Sequence, residues 1–124
     1  MALRLSALRY ILAFSVLSTA AHYAHNFVEI DSYPGGSGVQ QALIVLSWPL
    51  LTVIGVYGYL LYERGELPRA HACLVVYSLT GLITPLHFAY GEPDIPAFFY
   101  ATIFTDFIAG LAVLGFVGWS VRAA

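Results

Sequence analysis

Four stretches of this sequence are apolar over about 20 residues or more, the length an α-helix needs to cross the hydrocarbon core of a bilayer. They run from about Ala7 to Ile30, Val39 to Tyr62, Ala70 to Tyr90 and Ile95 to Trp119. In hydrocarbon, every backbone N–H and C=O must find its partner inside the protein, so runs of this length are read as helices. The breaks between them carry turn residues: "DSYPGGSG", "ERGELPR" and "GEPDIP". Asp94 and Pro96 are placed to start the last helix. The fold expected is an all-α membrane protein, an up-down four-helix transmembrane bundle, with residues 1–124 as a single integral-membrane domain. Composition agrees, since only 10% of residues are charged, against about 25% in a soluble domain.

Arginine placement sets the expected orientation. Arg4 and Arg9 flank the start of the first span, Arg64 and Arg69 lie in the middle loop, and Arg122 follows the last span. If the helices alternate, all of them fall on one side, and that side is expected to be cytoplasmic, with both termini there. The other side carries Glu29, Asp31, Glu92 and Asp94 and no basic residue. The expected location is a plasma membrane of the bacterial inner-membrane kind, crossed several times. The N-terminal arginines, apolar run and small residues near Ala20 resemble a signal peptide, and we read the segment as a signal-anchor helix. There is no lysine and no basic face, so nucleic acid is set aside as a partner. Cys73 is the only cysteine, which excludes an internal disulfide or a CxxC site.

Each span carries a polar or small-residue seam. At about 100° per residue, Ser15, Ser18, His22, His25, Asn26 and Glu29 fall within an arc of roughly 120° on the first helix. Cys73, Tyr77, Thr80, Thr84 and His87 share an arc on the third. Gln41, Trp48, Thr52, Gly55, Tyr59 and Tyr62 do so on the second, and Thr102, Thr105, Asp106 and Ala109 on the fourth. Hydroxyl and small residues of this kind often do no more than pack helices together. Tyr57, Tyr59, Tyr62 and Trp119 are expected to be interfacial belt residues, and His71 an interfacial histidine with no special role. Pro85 is expected to kink the third helix and free the carbonyl of Gly81, and Pro49 to do the same to Val45.

The ionisable residues within the spans carry the chemistry, because a charge in hydrocarbon is costly unless paired. His22, His25, Glu29, His87 and Asp106 are the candidate ligands of a divalent transition metal, Zn, Cu, Fe or Ni, in a polar cavity opening outward. Their depths suggest two subsites, His25–Glu29–His87 above and His22–Asp106 below. Asn26, Thr102 and Thr105 are candidate supporting donors for a metal or a small ligand. Haem b, held by His87 with His22 or His25, fits less well, since its propionates would meet no Arg or Lys at that end. Two other readings stay open. One is an enzyme using His22 and Asp106 as acid and base on a lipid-soluble small molecule. The other is an accessory subunit of a larger membrane complex, or a homo-oligomer, packed through the small residues of the fourth helix.

The arginine pattern makes a direct prediction. With Cys73 replaced by serine, Ser37→Cys reacts with an impermeant maleimide on intact cells, and Glu66→Cys reacts only after permeabilisation. The reverse pattern contradicts the orientation.

Overall fold

The structure, a computed structural model, describes residues 1–123. It contains α1 (Ala2–Val28), α2 (Gly38–Glu63), α3 (Leu67–Leu82) and α4 (Ala97–Arg122), with 3-10 turns at Ile30–Ser32 and Thr84–Ala89. Among the described residues there is no strand. Each helix is long and apolar enough to cross a membrane, α3 when taken together with the turn that follows it.

Prolines and glycines set most of the boundaries. Pro96 caps α4 in an extended conformation, so Ile95 is not yet helical, as the residue before a proline seldom is. Nothing in the first residues breaks a helix, and α1 begins at Ala2 rather than Ala7. Gly35, Gly65 and Gly91 hold positive φ in the three loops, a region that favours glycine. The third span is not one α-helix. Pro85 lacks the N–H that would reach Gly81, and its ring disfavours the α conformation at Thr84. The α-helix therefore stops at Leu82, and the chain rewinds more tightly through Thr84–Ala89. The freed Gly81 carbonyl is not left bare, because the Thr84 hydroxyl reaches it at 2.7 Å. Pro49 interrupts nothing on this scale, and α2 continues through it.

Neighbours in sequence are neighbours in space. α1 packs on α2 and α4, α3 packs on the same two, and α1 and α3 touch little. Glycine permits the closest approaches: Gly81 lies against the backbone of Asp106, Gly110 against that of Ser78, and Gly55 beneath the Tyr77 ring. One end holds an apolar core of Leu8, Leu12, Leu61, Leu74, Val113 and Phe116. The arginines collect around it: Arg4 donates to the carbonyl of Ala123 (2.8 Å) and Arg9 to the Tyr59 hydroxyl (3.0 Å). Arg69 donates to the Tyr57 hydroxyl (3.2 Å), and the Arg4 guanidinium lies 5.7 Å from the Trp119 ring. Tyr62 departs from the belt expectation. It is fully buried and shares a hydrogen bond with Ser120 (2.9 Å), which also meets His71 Nε2 (3.0 Å). His71 therefore has a defined partner.

The Gly81 contact is testable. A methyl group there runs into the Asp106 carbonyl, so Gly81→Ala should cost on the order of 3 kcal/mol. Gly115→Ala faces open space and should be neutral or stabilising by up to about 1 kcal/mol. Unfolding in mixed micelles measures both, and equal effects would contradict this packing.

Candidate functional site

The polar half of the molecule lies beyond the apolar core. On α1, Ser15, Thr19, His22 and Asn26 recur every three or four residues and are buried. The facing strip of α4 is Thr102, Asp106, Ala109 and Gly110, also buried, and its small members let the helices close up. At the centre His22 Nδ1 lies 2.7 Å from Asp106 Oδ2, with side chains only 1% and 0% exposed. The Ser18 hydroxyl donates to the other carboxyl oxygen and also meets Thr105 Oγ1 at 2.7 Å. Both oxygens of Asp106 are therefore engaged, as a carboxyl so deeply buried requires.

Net charge is the controlling quantity here. All basic side chains other than histidine lie at the arginine end, so the pair must neutralise itself. A pair of this kind that is net neutral holds one shared proton. Either His22 is an imidazolium donating to a carboxylate, or a carboxylic acid donates to Nδ1 of a neutral imidazole. In both arrangements His22 Nε2 carries a hydrogen. That Nε2 is buried and has no hydrogen-bond partner.

The ring of His87 lies 5.1 Å from that of His22, centroid to centroid, and the ring of Tyr33 lies at 6.2 Å. His87 arrives from the 3-10 turn, and its Nε2 accepts from Asn26 Nδ2 (3.2 Å). The Asn26 amide oxygen is left buried and unpartnered. Tyr33 comes from the α1–α2 loop. Burial, and then the nearby Asp106 carboxyl, push its hydroxyl up to about 12, so it stays protonated and can donate to His25 Nδ1 (2.8 Å).

A cavity of about 320 Å³ borders this cluster between α1, α2 and the end of α3. Tyr23, Asn26, Gln40 and His87 are among its polar walls, and Leu43 and Ile44 are among its apolar ones. The size suits a small organic molecule. A second cavity, also about 320 Å³, lies between α1 and α4 and is lined by Phe14, Ser18, Phe98 and Thr105 among others.

The structure thus joins His22, Asp106, Asn26 and His87, with Thr105 in support. It does not bring His25 and Glu29 to them. His25 sits at the edge of the α1 seam, turned toward α4, and stacks on Phe99 with ring centroids 3.8 Å apart. Glu29 is the residue at which α1 ends, and it is exposed. Thr102 spends its hydroxyl on the Phe99 carbonyl of its own helix (2.6 Å). The expected upper and lower subsites are accordingly redrawn, with His87 keeping company with His22 rather than His25. Among the described residues, no three His, Cys, Asp or Glu side chains form a group that could hold a metal ion.

Helix-face reasoning passed over Tyr33 and Gln40. Tyr33 lies in a loop, where helical periodicity has no meaning, and Gln40 lies off the seam of α2 that Gln41 shares. The chain matches no protein-family model, no curated protein and no solved structure.

The pair predicts its own energetics. His22→Leu strands a buried carboxyl and should cost about 3 kcal/mol or more. Asp106→Leu should cost a similar amount, and the double variant should recover most of the loss, since apolar residues replace both partners. A double-mutant cycle on unfolding in mixed micelles checks this, and simple additivity contradicts the pairing.

Proposed function

We propose that this chain is a multi-pass plasma-membrane protein, of the bacterial inner-membrane kind, that binds a small lipid-soluble molecule. Its helices form an up-down bundle with both termini cytoplasmic, so the cavity beside His87 lies in the outward half of the membrane. The ligand's body packs on Leu43 and Ile44 while its polar end meets Asn26 and His87. One observation carries the reading: a largely apolar cavity of about 320 Å³ with Asn26 and His87 on its wall. The reading is preferred to a divalent metal because the described residues bring together no three-ligand group.

A second reading, acid–base chemistry on that ligand, is favoured by the His22–Asp106 pair. The His22 ring lies 5.1 Å from that of His87, and its Nδ1 is 2.7 Å from Asp106 Oδ2.

Purification in lipid nanodiscs, with mass spectrometry of the extracted small molecules and elemental analysis of the same sample, tests the proposal. Wild type should retain a lipid-soluble compound that falls roughly tenfold, a loss of about 1.4 kcal/mol, when Ile44→Trp fills the cavity. Identical extracts from both proteins contradict ligand binding, and a stoichiometric metal would favour the metal reading instead.

A further inference from the structure

At the arginine end, Arg9 on α1 and Tyr59 on α2 meet across the gap between their helices. The side edge of the guanidinium is spent on Tyr59, with Nε (3.2 Å) and Nη2 (3.0 Å) donating to its hydroxyl. The end edge, Nη1 with the second hydrogen of Nη2, has no acceptor among the described residues. Nor does any carboxylate among them form an ion pair with Arg9, Glu63 included, although it lies one turn beyond Tyr59. The Tyr59 oxygen takes both arginine bonds and keeps its own hydrogen to donate. Arg9 is exposed, so an outside group can reach these donors. Arg4 and Arg69 are committed within the chain, to the Ala123 carbonyl and to Glu66 and Tyr57. Arg9 and Tyr59 also line a groove of about 290 Å³ between α1 and α2. Its other lining residues are Leu12, Ala13, Val16 and Val56, all apolar. Val16 lies two turns further along α1 than Arg9, so the groove extends about 10 Å away from the charge.

We propose that this groove binds an anionic phospholipid. Two phosphate oxygens accept from the free end edge of Arg9, the paired geometry that suits a guanidinium to phosphate. The Tyr59 hydroxyl donates to the same group, and one acyl chain lies along Leu12, Ala13, Val16 and Val56. Charge complementarity selects the occupant. An uncharged lipid would leave Arg9 without a counter-ion. A zwitterionic lipid would bring an ammonium group to the end of the molecule where the arginines collect, whereas an anionic one is drawn there. A free phosphate would use the donors and leave the groove unfilled. The proposal is independent of the ligand site beside His87, with which the groove shares no lining residue.

Native mass spectrometry of the full chain released from detergent micelles reads bound lipid directly. The probes are dioleoyl phosphatidylglycerol, dioleoyl phosphatidylcholine and glycerophosphoglycerol, the anionic head group without its chains. The one-to-one adduct with phosphatidylglycerol should exceed that with phosphatidylcholine several-fold, and the bare head group should give none. Arg9→Gln should lower the phosphatidylglycerol adduct about tenfold. Arg64→Gln, at the same end but off the groove, should leave it near the wild-type level. Val16→Trp, which fills the groove and changes no charge, should lower it as Arg9→Gln does. Should Arg9→Gln fail to fold, Tyr59→Phe carries the test, with an expected loss of about threefold. Equal adducts from the two lipids, or an adduct with the bare head group as strong as with the lipid, would overturn the proposal. So would equal losses in Arg9→Gln and Arg64→Gln, because diffuse charge would then explain the binding. An adduct unchanged in Val16→Trp or in Tyr59→Phe, or a dimer in place of the lipid adduct, would also overturn it.

Discussion

A histidine and an aspartate in contact, both out of reach of water, impose a condition that the surrounding structure has to meet. Within a membrane span an isolated charge costs several kcal/mol, and every polar atom needs a partner. His22 lies against one oxygen of Asp106, and Ser18 engages the other. The other ring nitrogen, His22 Nε2, is left buried without a hydrogen-bond partner.

The fold around the pair follows from the same requirement. Asp106 reaches α1 because the seam of α4 is built of small side chains, and α4 sits close to α3 because Gly81 has no side chain to hold it off. Pro85 ends α3 short of the full span and lets the chain rewind, which brings His87 beside His22. The helix break thus delivers a second imidazole to the pair, and Thr84 absorbs the carbonyl that the break exposes. At the opposite end a dry core of leucine, valine and phenylalanine separates the pair from the arginines.

Much of this was legible in the sequence, for identifiable reasons. The helices follow from apolar length, a cumulative signal that no single residue can spoil. The pairing of His22 with Asp106 follows from depth and helical periodicity, which place both on inward seams. The metal-ligand set was less legible, because periodicity gives the face of a helix and not the direction of a side chain at its edge. His25 and Glu29 share the seam of His22 on a helical projection, yet one stacks on Phe99 and the other leaves at the helix end. Tyr33 was hidden for a different reason: its burial depends on how the first loop folds back over the helix ends. That fold-back includes a hydrogen bond from the Asp94 N–H to the Ser32 carbonyl (3.2 Å), which no local pattern announces.

The central claim is that the buried pair is net neutral and keeps a hydrogen on His22 Nε2. Nitrogen-15 NMR of histidine-labelled protein in bilayers, with the His22 signals assigned by comparison with His22→Leu, reads that hydrogen directly. The account predicts that His22 Nε2 is protonated and that Nδ1 is hydrogen-bonded to Asp106. A bare, unprotonated Nε2 on a neutral ring would mean that the pair carries a net negative charge, and would contradict it.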